Sequence, residues 1–272
     1  MLRCVAMYRT GLSVIAGVFL VLSGSDAFAQ ATSAGQTTQA GTLWQPWIDR
    51  GYFNFNVGFE TTSGTLNDSV SFGLYDETGT KTVEQNVDSG SLIDFSLGAR
   101  VWRNVSVGIG FHRGANSSEA AATASVPHPV FFNANRNAAV AASDLSRRES
   151  AFHLQFGYMI VLSDVLSVHA MAGPSFFRLR QDVLADISFS EQTFPFTAVN
   201  ATGVIAERSD NVTGLNIGVD VMYLLYDSDA YRIGGGAFLR YSGASARIPV
   251  ISNEVDSDVG GLQIGFGARV RF

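Results

Sequence analysis

Cysteine is nearly absent from this chain: one residue in 272, Cys4. It lies ahead of an apolar run at 11–22, inside a segment with the marks of an export signal, so the mature chain is expected to carry none. Disulfide frameworks and thiolate metal sites are excluded with it. Lysine is as scarce, represented by Lys81 alone, and charged residues of all kinds make up 15% of the sequence. A solvated exterior would be expected to carry both lysine and glutamate in number. Long hydrophobic runs are missing too. A membrane-spanning helix needs ~20 consecutive apolar residues, and the run at 11–22 is both too short and wrongly flanked. If the chain enters a membrane, it enters as strands. A basic stripe is also lacking. The net charge is −6, and removal of Arg3, Arg9 and Asp26 leaves 16 basic against 23 acidic residues, a net of −7, which weighs against nucleic acid.

What is present begins with that export segment. Arg3 and Arg9 precede the run GLSVIAGVFLVL, and Ala27-Phe28-Ala29 supplies a small-x-small cleavage pattern. The expected organisation is a signal peptide over 1–29, a polar flexible lead-in over 30–46 and one domain over 47–272. Trp44 and Trp47 fall where a first strand would meet a membrane interface, a place that suits an apolar ring carrying one N–H.

From residue 50 the sequence repeats a period of two. The closing stretch GGLQIGFGARVRF sets Leu262, Ile264, Phe266, Ala268, Val270 and Phe272 on one face, with Gln263, Gly265, Gly267, Arg269 and Arg271 on the other. Such alternation marks a strand with one apolar and one polar face. The same pattern places strands at 51–62, 91–102, 105–115, 150–162, 166–180, 212–226, 231–247 and 260–272. Arg103-Asn104 is a tight hairpin turn, and Gly173-Pro174 is expected to bend the fifth strand. Connections alternate between two to four residues and roughly thirty, at 63–90, 116–149 and 181–211. Within the first of these, strands around 70–74 and 81–87 are expected to continue above the membrane. Eight strands close a barrel that side chains can fill. In a lipocalin-like soluble barrel the outer face would be charged, whereas here the face opposite the apolar one is Gly, Ser and Asn with a few Arg and Asp.

An alternating last strand ending in a terminal Phe resembles the closing strand of bacterial outer-membrane β-barrels, where it is the assembly signal; the whole pattern resembles the small OmpA-, OmpX- and OmpW-type barrels. The resemblance implies an all-β, eight-stranded antiparallel up-and-down transmembrane barrel with short periplasmic turns and long extracellular loops. It also implies residence in a bacterial outer membrane among lipid and lipopolysaccharide, and delivery by the barrel assembly machinery through Phe272.

The chemistry-bearing residues are few. Glu60, Asp94, Arg100, Asp220, Arg240 and Arg269 face the lumen by parity, with Arg232 and Arg271 at the rim. Charges in a narrow barrel must pair, so a lumenal network is expected. His112, His153 and His169 also point inward, at different heights, as neutral hydrogen-bonded imidazoles. No H-E-x-x-H or acidic calcium loop indicates a metal, and no cofactor is expected. A hydrolytic site would draw on outer residues such as His128, Asp144 and Ser146, but nothing fixes these together and a nucleophile needs an adjacent, oriented base, so no enzyme is expected. Phe131, Phe132, Phe194 and Phe196 put aromatics into outer loops, a contact patch for a surface ligand or a lid. The expected function is a structural or surface-interaction barrel with a filled polar lumen. The alternative is a low-conductance channel for ions or small solutes, gated by the lumenal charges.

Overall fold

A computed structural model describes residues 46–62, 64–251 and 253–272. The expected signal peptide, most of the lead-in and Trp44 lie outside the described residues. Ten strands follow in order: β1 Gly51–Thr61, β2 Gly64–Leu74, β3 Glu77–Val87, β4 Gly90–Trp102, β5 Val105–Val126, β6 Arg136–Val161, β7 Leu166–Glu191, β8 Val199–Asp227, β9 Arg232–Pro249 and β10 Glu254–Arg271. Eight of them form an antiparallel ring, β1-β4-β5-β6-β7-β8-β9-β10, which closes where β10 pairs with β1. The β2–β3 hairpin stands outside the ring and pairs with the distal half of β5.

All eight expected strands are ring strands, and the two expected inside the first long connection are β2 and β3, turning at Tyr75-Asp76. The connections at 116–149 and 181–211 differ from expectation. They are mostly strand: β5 and β6 run on as a paired ladder to Val126 and Arg136, and β7 and β8 to Glu191 and Val199. The physical reason is composition. Stretches such as AAATASV and RNAAVAAS alternate small residues, whose period-two signal is faint although their backbones pair as well as any others. At Gly173-Pro174 the pairing of β7 with β6 lapses opposite Leu154 and Gln155 and resumes in the same register. Asn216 covers the break, donating from Nδ2 to the carbonyls of Gly173 and Pro174.

The faces of the sheet invert along its length. Near the short turns the outward face is apolar: Phe53, Phe55, Val57 and Phe59 on β1, Ile109 and Phe111 on β5, and Ile264 and Phe266 on β10 are all exposed. The inward face there is polar, with Asn54, Asn56, Asp94, His112, Asp220, Arg240 and Arg269 buried. Beyond about Ser118 the pattern reverses. Ala120, Ala122, Ala124, Val126, Leu184, Ile187 and Val199 pack inward into one apolar cluster, and Leu66, Leu179, Val183 and Ile248 into a second. Glu119, Thr123 and Asn137 face out. Apolar outside and polar inside is the order a strand needs in lipid; apolar inside is the order it needs in water. The sheet changes solvent part-way along the same strands.

One interfacial expectation is overturned. Trp47 does not face lipid: it is 2% exposed, packed beside Tyr52 at the short-turn end, with its Nε1 donating to Asp49. Asn104 of the β4–β5 turn accepts the Trp47 backbone N–H, and that tether draws the ring beneath the barrel. Of the two tryptophans among the described residues, Trp102, at 64% exposure, is the one on the outer face.

Candidate functional site

The lumen is built in tiers. Nearest the short turns, Tyr52 lies against the backbones of Gly98 and Gly108, where any Cβ would collide with its ring or hydroxyl. Its ring meets His169 edge-on, and His169 hydrogen-bonds to Ser106 Oγ at 2.8 Å. Asp220 on β8 takes Arg269 of β10 at 2.7 Å, with Arg271 at 3.8 Å. Arg271 also donates to Asn54 Oδ1, so it belongs to the packed lumen and not to the rim.

The next tier joins Asp94 of β4 to Arg240 of β9 at 2.8 Å across the barrel. Asn56 donates to the other Asp94 oxygen, and Arg240 Nε donates to Gln263 at 2.6 Å. Above it, His112 Nδ1 and His153 Nε2 are 2.8 Å apart, and His153 Nδ1 reaches Ser175 Oγ at 2.7 Å. Glu60 accepts from Gln263, and Glu149 accepts from the Gly260 amide. Arg147 closes the top of the polar section, donating to Gln181, Ser257 and the Asp258 carbonyl.

Set against the sequence-derived residues, Asp94 pairs with Arg240 and Asp220 with Arg269. Glu60 stands apart from those guanidinium groups, beside Gln263. Arg100 is not in the lumenal network: it is half-buried at the short-turn end, where its guanidinium donates to the Trp47 carbonyl. Of the three inward histidines, His112 and His153 are not at separate heights, since they stack with ring centres 5.0 Å apart; His169 lies apart from them, with Tyr52 and Ser106 in the lowest tier. The tilt of the strands sets residues of unequal count along the chain at one level. Arg147 and Glu149 were missing from the expected set, since they lie in a stretch read as connection. The parity of His153 and Ala151, carried back through Glu149, Arg147 and Leu145, was the signal that could have found them. Two cavities between these tiers are each of about one water molecule's size, and one of about 70 Å³ lies above them beside Arg147, Leu66 and Ser257. A larger cavity opens at the short-turn end, lined by Trp47, Met159, Met222 and Arg271 among others.

Eight antiparallel strands, a lipid-compatible exterior and an ion-paired interior decide the class. In fold, the chain is an eight-stranded antiparallel β-barrel with the apolar exterior and polar interior of a transmembrane barrel. No family model matches the sequence, and no curated protein matches it. Among solved structures it is similar to the attachment invasion locus protein Ail of Yersinia pestis in complex with the heparin analogue sucrose octasulfate (9% identity, 81% of this chain and 99% of that one, TM-score 0.34). It is also similar to the outer membrane protein OprG from Pseudomonas aeruginosa (11% identity, 82% and 97%, TM-score 0.38). A third is the outer membrane protease OmpT from Escherichia coli (9% identity, 85% and 97%, TM-score 0.35).

At the hairpin end of the barrel, His128 gathers the aromatic residues of two loops. Its ring lies 4.9 Å from that of Phe131 and 6.4 Å from that of Phe196, and Phe196 meets Phe194 edge-on. Phe131, Phe132 and Phe194 stay 62%, 73% and 80% exposed, so the cluster is a part-packed tip and not a closed lid. Arg136 ties the loops together, donating to Glu191, the Pro127 carbonyl and the Phe196 carbonyl. The Arg136 hydrogen bond holds the Glu191 carboxyl below the usual glutamate range, against the desolvation that raises it. His128, Asp144 and Ser146 are not brought together: His128 Nδ1 accepts the amides of Val130 and Phe131, while the Ser146 amide donates to Asp182.

A surface feature escaped the sequence reading. Arg113 on β5, Arg148 on β6 and Arg178 and Arg180 on β7 are exposed. The ladders set Arg113 and Arg178 on either side of Ser150, and Arg148 directly opposite Arg180. They lie just past Phe111, Phe152 and Phe176 on the same outward face. None has an ion-pair partner among the described residues.

Proposed function

We propose that this barrel resides in the bacterial outer membrane with its hairpin end outward and acts through its outer surface as a structural or surface-interaction protein. The carrying observation is that the interior is occupied twice over. Ion pairs and imidazoles fill the membrane section, and an apolar core fills the section above it. What is left for recognition is the outside: the exposed phenylalanines of the tip, and the arginine cluster at the upper edge of the apolar belt. The cluster sits where lipid headgroups begin and suits the phosphates of lipopolysaccharide, since guanidinium matches phosphate in charge and shape. Delivery by the barrel assembly machinery through Phe272 belongs to the same reading; the Phe272 carbonyl accepts the amides of both Arg50 and Gly51, which ties the end of β10 to the start of β1. No reaction is assigned.

The deciding experiment is ion conductance of the folded barrel in a planar lipid bilayer. No discrete steps are expected from a population shown by heat-modifiability to be folded. Reproducible steps whose size or charge preference changes in Asp94→Asn or Asp220→Asn would instead make the lumen a pore.

A further inference from the structure

The upper tier of the lumen carries chemistry that a filled barrel does not need. Glu60 on β1, His112 on β5 and Glu149 on β6 converge there from three strands, with one ligand atom of each lying within 4.8 Å of the others. They are 4%, 0% and 4% exposed. His112 Nε2 and Glu149 Oε1 are 3.5 Å apart. That is too long for a good hydrogen bond, and Glu149 Oε1 has no hydrogen-bond partner although it is buried. It is close to the ~3.4 Å between two ligands of one ion in a tetrahedral shell with bonds of ~2.1 Å.

We propose that this tier is a metal site, binding one divalent transition-metal ion through His112 Nε2 and the carboxylates of Glu60 and Glu149. Three further features agree. The first is charge. The lower tier sets two guanidinium groups, Arg269 and Arg271, against Asp220, and the middle tier balances Asp94 with Arg240. The upper tier sets two carboxylates against Arg147, whose Nη2 is 3.8 Å from Glu149 and whose hydrogen bonds go elsewhere, while Arg240, paired with Asp94, reaches this tier only at His112 Nδ1, 3.4 Å away. Two carboxylates this deep, with one cation between them, form a site for another cation.

The second is the support behind the imidazole. A metal on Nε2 requires His112 Nδ1–H to donate, and His153 Nε2 lies 2.8 Å away to accept. His153 Nδ1–H can then donate to Ser175 Oγ, which also accepts from Asn216 at 2.8 Å. Each imidazole N–H in that chain has an acceptor, Arg240 Nη2 also approaches His112 Nδ1 at 3.4 Å, and the Gln263 amide stands 3.4 Å from His112 Nε2, where the ion would take its place; such outer partners fix the tautomer and ring orientation of a ligating histidine. The third is room. A Cβ at Gly114 would stand 2.8 Å from Glu60 Oε2, and Gly260, at a φ of +85°, supplies the amide that holds Glu149 Oε2. One imidazole with two carboxylates suits zinc, manganese or ferrous iron. The three ligands join β1, β5 and β6, so the ion would pin the barrel wall just beneath its apolar cap.

The test uses the full barrel, folded in detergent, stripped with a chelator and given zinc. Zinc is expected to co-elute with the heat-modifiable folded band at ~1 equivalent and to raise the temperature at which that band converts to the unfolded one, because the ion binds the folded state. His112→Asn and Glu149→Gln should abolish retention, Ser175→Ala should weaken it ~10-fold, and His128→Ala at the tip should leave it unchanged. Absence of retained zinc in the folded wild type overturns the site. So does equal retention in Glu149→Gln, which would mean surface binding only. If the ligand variants do not fold, cobalt in the wild type decides: a four-coordinate visible spectrum with one imidazole supports the site, and a six-coordinate all-oxygen spectrum overturns it.

Discussion

Arg240 shows what one side chain must satisfy inside this wall. It is 3% exposed and reaches from β9 to Asp94 on β4, while its Nε donates to Gln263 and its Cζ lies 5.4 Å from the centre of the Phe238 ring. An ion pair this deep gives little net stability, because the cost of desolvating two charges nearly cancels their attraction; removing one partner is another matter. Asp94→Ala leaves the guanidinium buried and unpaired and is expected to cost about 3–5 kcal/mol. Urea titration of the folded barrel in detergent or vesicles checks this. Substituting an exposed lipid-facing residue such as Phe95 by Leu changes neither charge nor burial, so it should shift the midpoint far less. A comparable loss in both would show that the pair carries no special weight.

At the scale of elements, β5 to β8 each pass from lipid into water, and their tips are fastened by polar contacts between loops. Arg136 and Glu191 make the central fastening, and Lys81 of β3 makes another, 2.6 Å from Asp186 of β7 and above the rings of Phe72 and Phe189. The Arg136 hydrogen bond depresses the folded Glu191 pKa. A depressed carboxylate stabilises the tip fully above its unfolded value of about 4.3 and loses that contribution as pH falls through the folded value. Amide exchange over 127–136 and 191–199, corrected for intrinsic rates, should therefore rise on acidification below about pH 4. In Glu191→Gln it should be high already at neutral pH and no longer depend on pH in this window. Unchanged protection in that variant would show that the aromatic cluster alone holds the tip.

These same elements show what was legible in the sequence. Where strands cross lipid, each outward position must be apolar and each inward one polar or small, so the eight ring strands and the lumenal parity of Asp94, Asp220, Arg240 and Arg269 could be read from residues alone. Above the membrane the requirement inverts and weakens, and the alanine- and serine-rich ends of β5 and β6 read as loop. Arg147 and Glu149, hidden in that stretch, were lost with it. Which charge meets which could not be read either, since partners such as Asp94 and Arg240 come from strands far apart in the chain, brought together by ring closure. Trp47 misled for a different reason: a tryptophan at a strand start satisfies the interfacial pattern whether it turns outward or, as here, is drawn beneath the barrel by Asn104.

The whole molecule has a belt and an edge to that belt. Phe111, Phe152 and Phe176 end the apolar surface on one side, and Arg113, Arg148, Arg178 and Arg180 begin immediately beyond them on three adjacent strands. An exposed arginine free of carboxylate partners keeps its full charge for an external anion, and a cation close to an anionic membrane surface gains about 1 kcal/mol. Four in one patch should then favour anionic over neutral lipid by several kcal/mol at low salt, with the preference falling as salt screens it. The check is the heat-modification temperature of the barrel in vesicles of neutral lipid with and without phosphorylated lipid A. Lipid A is expected to raise that temperature for the wild type, and to do so less at high salt. The variant with all four arginines changed to glutamine should unfold at the same temperature in both vesicles. Glutamine keeps each side chain's length and polarity, so a variant that still responds to lipid A would place the interaction elsewhere on the belt and remove the arginine cluster from the proposed contact with lipopolysaccharide.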